Sequence, residues 1–230
     1  MQGRQGVRMD ETAPTFQHVV IGPNGQDGWL TLPRPARALV LFAHGSGSTR
    51  HSVRNRSVAR TLHGEGFGTL LFDLLEPQEA ADRAKVFDIR LLTQRLVDAI
   101  RWIDRRPALA SLPWALFGSC TGAAAALSAA AAQPFRVYAV VSRGGRTDLA
   151  GEALQRIKAP TLLIVGALDT EVLQLNRQAM LQLPALKELV IVPGATHLFA
   201  EPGAMAQVAE HAARWLSLQL PAVTVGGLHA

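Results

Sequence analysis

One cysteine, one acid and one histidine stand where an acyl-transfer reaction would need them. The segment Trp114-Ala115-Leu116-Phe117-Gly118-Ser119-Cys120-Thr121-Gly122-Ala123 runs from an apolar strand pattern through Gly-x-Cys-x-Gly into an Ala-rich helical pattern. That succession reads as a nucleophile elbow. The requirement is steric: a nucleophile on a sharp strand-to-helix turn leaves no room for side chains two positions before and after it, so glycine occupies both. Framing the motif on Ser119 would put Phe117 and Thr121 at the crowded positions, so Cys120 is the expected nucleophile. A lone cysteine is most often a small buried thiol. Here a strand, two glycines and a helix surround it, and the N-terminus of that helix favours a thiolate.

A thiol nucleophile needs a base, and the base needs an acid to orient it. Residues 159–169 lead from a proline through an apolar strand pattern to Asp169, and residues 190–197 lead from another to Gly194-Ala195-Thr196-His197. The chain order of nucleophile, acid and histidine fits an α/β scaffold that carries such residues just past its strands. Taken singly, Asp169 could cap a helix and His197 could be an ordinary loop histidine. Asp148 and Glu171 are the alternative acids. The reaction also needs two N–H groups for an oxyanion. Thr121 follows the nucleophile, and Ser46 lies in His44-Gly45-Ser46-Gly47 after the apolar run 38–43. For substrate binding the candidates are His44, Arg50 and Arg143. Arg143 and Arg146, in Ser142-Arg143-Gly144-Gly145-Arg146, would either grip a substrate carboxylate or pair with Asp148 or Asp73.

These residues must be carried by elements that bring them to one edge. Apolar runs at 16–21, 29–32, 38–43, 69–72, 114–117, 137–141, 161–165 and 188–192 give about eight strands, the first two joined as a hairpin by Gly22-Pro23-Asn24-Gly25. Helical spacing covers 52–64, 89–105, 121–132, 172–183 and 205–218. Strands alternating with helices predict a mostly parallel sheet flanked by helices, with loops converging at the carboxyl ends of the strands. The link between the strands at 137–141 and 161–165 is too short for a lid domain of several helices, so the site is expected to be open.

Composition narrows the function classes. Hydrophobic residues make up 48% and charged residues 18% of the 230 residues, which is enough apolar surface for a real core. We expect one domain over 13–220, with an N-terminal tail at 1–12 and a C-terminal tail at 221–230. A net charge of +5 and a pI near 10.3 invite a nucleic-acid reading. Arg50, His51, Arg54, Arg56 and Arg60, however, alternate with Val53, Val58 and Leu62 as a solvated helix face does, without interleaved aromatics. No nucleic acid is expected. No apolar run approaches the roughly 18 to 20 residues of a membrane span. A single cysteine and a polar first segment favour the cytoplasm. No metal-ligand cluster, P-loop or dinucleotide fingerprint stands out, so no metal or cofactor is expected.

The elbow, the His44-Gly45 loop and the Asp169 and His197 loops together resemble the α/β-hydrolase superfamily, and within it the dienelactone hydrolase family, over about residues 16–218. That family uses Gly-x-Cys-x-Gly with Asp and His where most relatives use serine. The resemblance implies an α/β-hydrolase fold without a lid domain, and cleavage of a small ester or lactone through an acyl-enzyme on Cys120, with His197 as base and Asp169 orienting it. The chain departs from the family's characterised lactonases, which place a glutamate at the end of the third strand. Here that strand ends Ala43-His44-Gly45, so activation of the thiol falls to His197. The segments His44-Gly45-Ser46-Gly47 and Ser142-Arg143-Gly144-Gly145-Arg146 look closer to a branch whose elbow usually carries serine. Two other readings accompany this one: a catalytically silent binder of a small ligand, and a thioesterase or acyltransferase that passes the acyl group to another acceptor.

Overall fold

Gly22 and Gly25 take positive φ values of 65° and 69°, which glycine adopts without a Cβ clash. They reverse the chain between β1 (Thr15–Ile21) and β2 (Gln26–Leu32), which pair antiparallel with Ile21 opposite Gln26. The computed structural model describes residues 14–222; residues 1–13 and 223–230, which hold nearly all of the two expected tails, lie outside the described residues. The remaining strands are β3 (Ala38–Ala43), β4 (Phe67–Phe72), β5 (Trp114–Ser119), β6 (Val137–Arg143), β7 (Thr161–Gly166) and β8 (Lys187–Val192). They form one sheet in the order β1-β2-β4-β3-β5-β6-β7-β8, parallel from β4 through β8 and antiparallel at β1 and β2. This is the α/β-hydrolase arrangement that the sequence predicts.

Because β3 to β7 are covered on both faces, their sequences read as unbroken apolar runs. Alternation still sorts the side chains: Leu39, Leu41 and Ala43 face one layer, and Ala38, Val40 and Phe42 face the other. The first layer holds α4 (Ile89–Asp104), α5 (Pro107–Ala110), α6 (Thr121–Ala132) and α7 (Thr170–Gln182). The second holds α1 (Val53–Gly64) and α8 (Ala204–Gln219). Phe42 and Phe117 stack there with ring centroids 4.8 Å apart, and burial of each contributes about 1.5–3 kcal/mol. Among the described residues no helix is long and apolar enough to cross a membrane.

Three features depart from the sequence expectation. Two four-residue helices, α2 (Pro77–Ala80) and α3 (Arg83–Val86), fill the segment after β4. Elements this short carry no amphipathic period. They are held by a Glu76/Glu79 capping box, by the Asp82 side chain accepting from Ala84 N–H, and by a Glu79–Arg95 ion pair at 3.1 Å to α4. A further short helix, α5, begins at Pro107, using the fixed φ that suits a first helical turn. The link from β6 to β7 folds into 3-10 turns over Thr147–Arg156, broken at Gly151, where φ is 52°. It forms no lid.

Candidate active site

Cys120 sits at the turn between β5 and α6 with φ 50° and ψ −122°, a region disfavoured for any residue with a side chain. The surroundings impose it. The Cys120 N–H donates to the Arg143 carbonyl (3.4 Å), and the Arg146 N–H donates to the Cys120 carbonyl (3.1 Å). A Cβ on Gly118 would lie 2.4 Å from Ala123 Cα, and one on Gly122 would lie 2.2 Å from the Ala43 carbonyl oxygen. Both glycines are therefore demanded by close approach of α6 to the ends of β3 and β5.

Asp169 is the residue before α7, yet its side chain makes no capping hydrogen bond. Its Oδ2 instead accepts from His197 Nδ1 at 2.6 Å. The two loops are pinned together by the Leu168 N–H on the Ala195 carbonyl (2.9 Å). Gly166 permits this, since a Cβ there would lie 2.3 Å from the Ala195 oxygen. The hydrogen bond with Cys120 raises the His197 imidazole to about 9, against burial and with the support of Asp169. Burial alone would push the Cys120 thiol up. The hydrogen bond and charge of His197, with the N–H groups of Thr121 and Ser46, bring it below the ordinary thiol value. The arrangement favours a thiolate–imidazolium pair with two backbone donors converging on the sulfur.

Of the substrate-binding candidates, His44 and Arg50 are held by structural partners. His44 is 7% exposed. Its Nε2 accepts from the Leu74 N–H at 2.9 Å, and Nδ1 faces the Gly45 carbonyl at 3.1 Å. Burial keeps it neutral by lowering its pKa. It is a strut between the Ser46 loop and the end of β4. Arg50 is tied to Asp73 through its guanidinium and through its N–H (2.6 Å), lies 3.4 Å from Asp27, and stacks over Trp29. Trp29 also meets His51 edge-on and lies under Arg56, so the fold supplies an aromatic that the sequence of α1 lacks.

Arg146 and Asp148 form a bidentate pair at 2.9 and 2.8 Å, which removes Asp148 as a partner for His197. Glu171 lies exposed in the first turn of α7. Arg143 is 9% exposed, on the α1/α8 side of the sheet, with one nitrogen 3.6 Å from Met205 Sδ. Sequence reasoning missed Asn176, whose buried amide donates to the carbonyls of Gly145 (2.8 Å) and Val172 (2.7 Å) and so fixes the Gly144-Gly145 turn beside His197. Its signal was an amide on the buried stripe Val172, Leu173, Asn176, Ala179.

Next to the Ser46 and Thr121 backbone, a small recess is bordered by His44, Gly45, Ser46, Gly47, Ser48, Leu75, Ala80, Val86, Leu92 and Thr121. The larger clefts lie along the β1–β2 hairpin, lined by Trp102, Arg105 and Arg106 on one side and by Trp29 and Arg56 on the other. None of them includes Cys120, Asp169 or His197.

Comparison with known proteins bears on this geometry. The profile of the dienelactone hydrolase family matches residues 27–220. A crystal structure of a dienelactone hydrolase from Anabaena variabilis ATCC 29413 is 48% identical and superposes with a TM-score of 0.87, covering 90% of this chain and 99% of that one. A Mycobacterium tuberculosis protein that bears a phosphoribosyl transferase name is 57% identical over 197 residues, 86% of this chain. The chain spans only 44% of that protein's length. A Bradyrhizobium protein named as a 2-oxo-3-(5-oxofuran-2-ylidene)propanoate lactonase is 28% identical over 206 residues, covering 80% of this chain and 83% of its own.

Proposed function

Since the chain belongs to the dienelactone hydrolase family, whose chemistry is the hydrolysis of esters and lactones, we propose that it does this through a covalent acyl-enzyme on Cys120. His197 serves as base and acid, and Asp169 orients it. The observation that carries the reading is the convergence of the His197 ring and two backbone N–H groups on one half-buried sulfur. The thiolate attacks the acyl carbon, and the N–H groups of Ser46 and Thr121 take the charge that moves onto the carbonyl oxygen. The His197 imidazolium gives its proton to the leaving oxygen, and the thioester forms. Neutral His197 then draws a proton from water, which attacks the thioester and frees the acid and the thiol.

The recess bordered by Leu75, Ala80 and Val86 supports a small apolar group at the reacting end of the substrate. The same arrangement supports acyl rather than phosphoribosyl chemistry for the portion shared with the longer mycobacterial relative. We place the reaction in a reducing compartment, the cytoplasm, because a thiolate nucleophile must escape oxidation.

The test is to mix the protein with a p-nitrophenyl ester, quench within a turnover, and map the acyl mass by peptide. The acyl group is expected on the Cys120 peptide. Turnover with the acyl group on another residue, or on none at any quench time, would refute the mechanism.

A further inference from the structure

Asn176 stands on the buried stripe of α7 between Leu173 and Ala179, where an apolar side chain would suit the surroundings. Asparagine is a poor former of helix interiors. Its side chain is fully buried, and its Oδ1 has no hydrogen-bond partner among the described residues, a state that costs stability. What the residue supplies is a donor. Its Nδ2 donates to the Gly145 carbonyl at 2.8 Å and to the Val172 carbonyl at 2.7 Å. The second bond stays within α7, whereas the first leaves the helix for the turn after β6.

From Gly145 a chain of hydrogen bonds leads to the nucleophile. The Gly145 carbonyl and the Arg146 N–H belong to one planar trans peptide group, in which they point in opposite directions. That N–H donates to the Cys120 carbonyl at 3.1 Å. The Cys120 carbonyl in turn shares a peptide group with the Thr121 N–H, one of the two donors that converge on the sulfur. The other donor to the Cys120 carbonyl, the Ala123 N–H at 3.1 Å, belongs to α6 itself, so Arg146 supplies the anchor from outside the helix. Gly145 has little freedom to shift towards α6: a Cβ on it would lie 2.1 Å from Ser142 Oγ and 2.6 Å from Ala123 Cβ. Asn176 holds the first peptide from the α7 side, and the first peptide holds the second.

We propose that Asn176 is a positioning residue for the oxyanion hole: through the Gly145–Arg146 peptide it orients the Cys120–Thr121 peptide, so that the Thr121 N–H meets the oxygen that becomes negative in the transition state. This rests on the reading of Cys120 as the nucleophile and of Thr121 as an oxyanion donor. Asn176 acts at the remove of two peptides and exchanges no proton. Each bond in such a chain polarises the next, which strengthens the terminal donor as well as aiming it. The Cys120 backbone, at φ 50°, is a conformation that persists only where its surroundings over-determine it, and the bond from Arg146 is one of those constraints. Helix α7 thereby serves the site twice, with Asp169 at its start and Asn176 two turns further on.

The experiment is steady-state hydrolysis of a p-nitrophenyl ester and of the matching thionoester, in which sulfur replaces the carbonyl oxygen, by wild type and Asn176→Leu, with circular dichroism to check folding. Leucine keeps the branched outline of asparagine and donates nothing. Sulfur is the weaker hydrogen-bond acceptor, so the thionoester reports on the same site with the oxyanion contact weakened. Asn176→Leu is expected to lower kcat for the ester about tenfold, less than the roughly 10²–10³ for outright removal of an oxyanion donor, with KM little changed. The thionoester rate is expected to fall less, so the ester-to-thionoester ratio drops. A folded Asn176→Leu with wild-type kcat overturns the proposal, and so does an equal loss on both substrates, which marks general loosening of the site. If Asn176→Leu does not fold, Asn176→Ala removes the same donor without bulk and is judged by the same two outcomes. Wild type that hydrolyses no ester would sink the proposed function and this inference together, whereas wild-type turnover beside an unchanged variant would sink this inference alone.

Discussion

His197 Nδ1 donates to Asp169 Oδ2 at 2.6 Å, which leaves the opposite ring nitrogen as the one that can serve Cys120. The acid therefore fixes both the tautomer and the angle of the ring. In Asp169→Asn the amide can present its NH2 group to Nδ1 and select the other tautomer. We expect kcat to fall by about 10⁴, the loss seen for the same exchange in a Ser-His-Asp enzyme, with KM little changed. Because Asp169 makes no capping bond, the variant should melt close to wild type. Steady-state kinetics beside a thermal melt checks both halves.

The pH profile follows from the coupled pair. His197 is raised to about 9 and Cys120 is lowered below the ordinary thiol value. Acylation needs the thiolate and the imidazolium together, so activity should fall as pH rises through about 9, where the proton donor is lost. On the acid side it should fall as the thiolate is protonated, with a midpoint below that of a free thiol. A rate that keeps rising through pH 9 to 10, as for an ordinary thiol with a neutral base, would contradict the charged pair.

His44 tests the support of the oxyanion loop. His44→Phe keeps the ring volume but leaves the buried Leu74 N–H without its acceptor, which costs about 1–3 kcal/mol. The Ser46 loop should loosen with it. Denaturant melts should show the stability loss, and kcat should fall more than KM rises, because Ser46 N–H acts on charge that develops in the transition state.

Close approach makes Gly45 and Gly118 sensitive to one added carbon. At Gly45 a Cβ would lie 2.7 Å from Cys120 Cβ and 2.9 Å from the Ser119 oxygen; at Gly118 it would meet α6 backbone. Alanine at either is expected to cost about 1–3 kcal/mol or more through overpacking and to displace the sulfur, so activity should drop even in the fraction that folds. Gly47→Ala is the control for space, since nothing lies within 4 Å of its Cβ position. Its strain is limited to a φ of 66°.

What the sequence disclosed and what it concealed divide along physical lines. The strand–turn–helix around Cys120 is legible because its steric rule acts within five residues, and glycines at 118 and 122 are its trace. The loops ending in Asp169 and His197 are legible because each follows a clear apolar run. The partners of His44 and Arg50 were not legible: Leu74 and Asp73 stand at the end of β4 and meet them only when β3 and β4 pair. The partner of Arg146 lies two residues away and was foreseen as one of two options, whereas the burial of Arg143 depends on α1 and α8 closing over it. The helices α2 and α3 escaped notice because four residues cannot display a period.

The account turns on one sulfur, and the most direct measurement is hydrolysis of short p-nitrophenyl esters and simple lactones by wild type, Cys120→Ala and Cys120→Ser, prepared side by side. Wild type should turn over, Cys120→Ala should lose activity to the background rate, and Cys120→Ser should be slower than wild type, since a hydroxyl cannot rest as an anion beside His197 and the oxyanion donors. Full activity in Cys120→Ala would contradict the account outright.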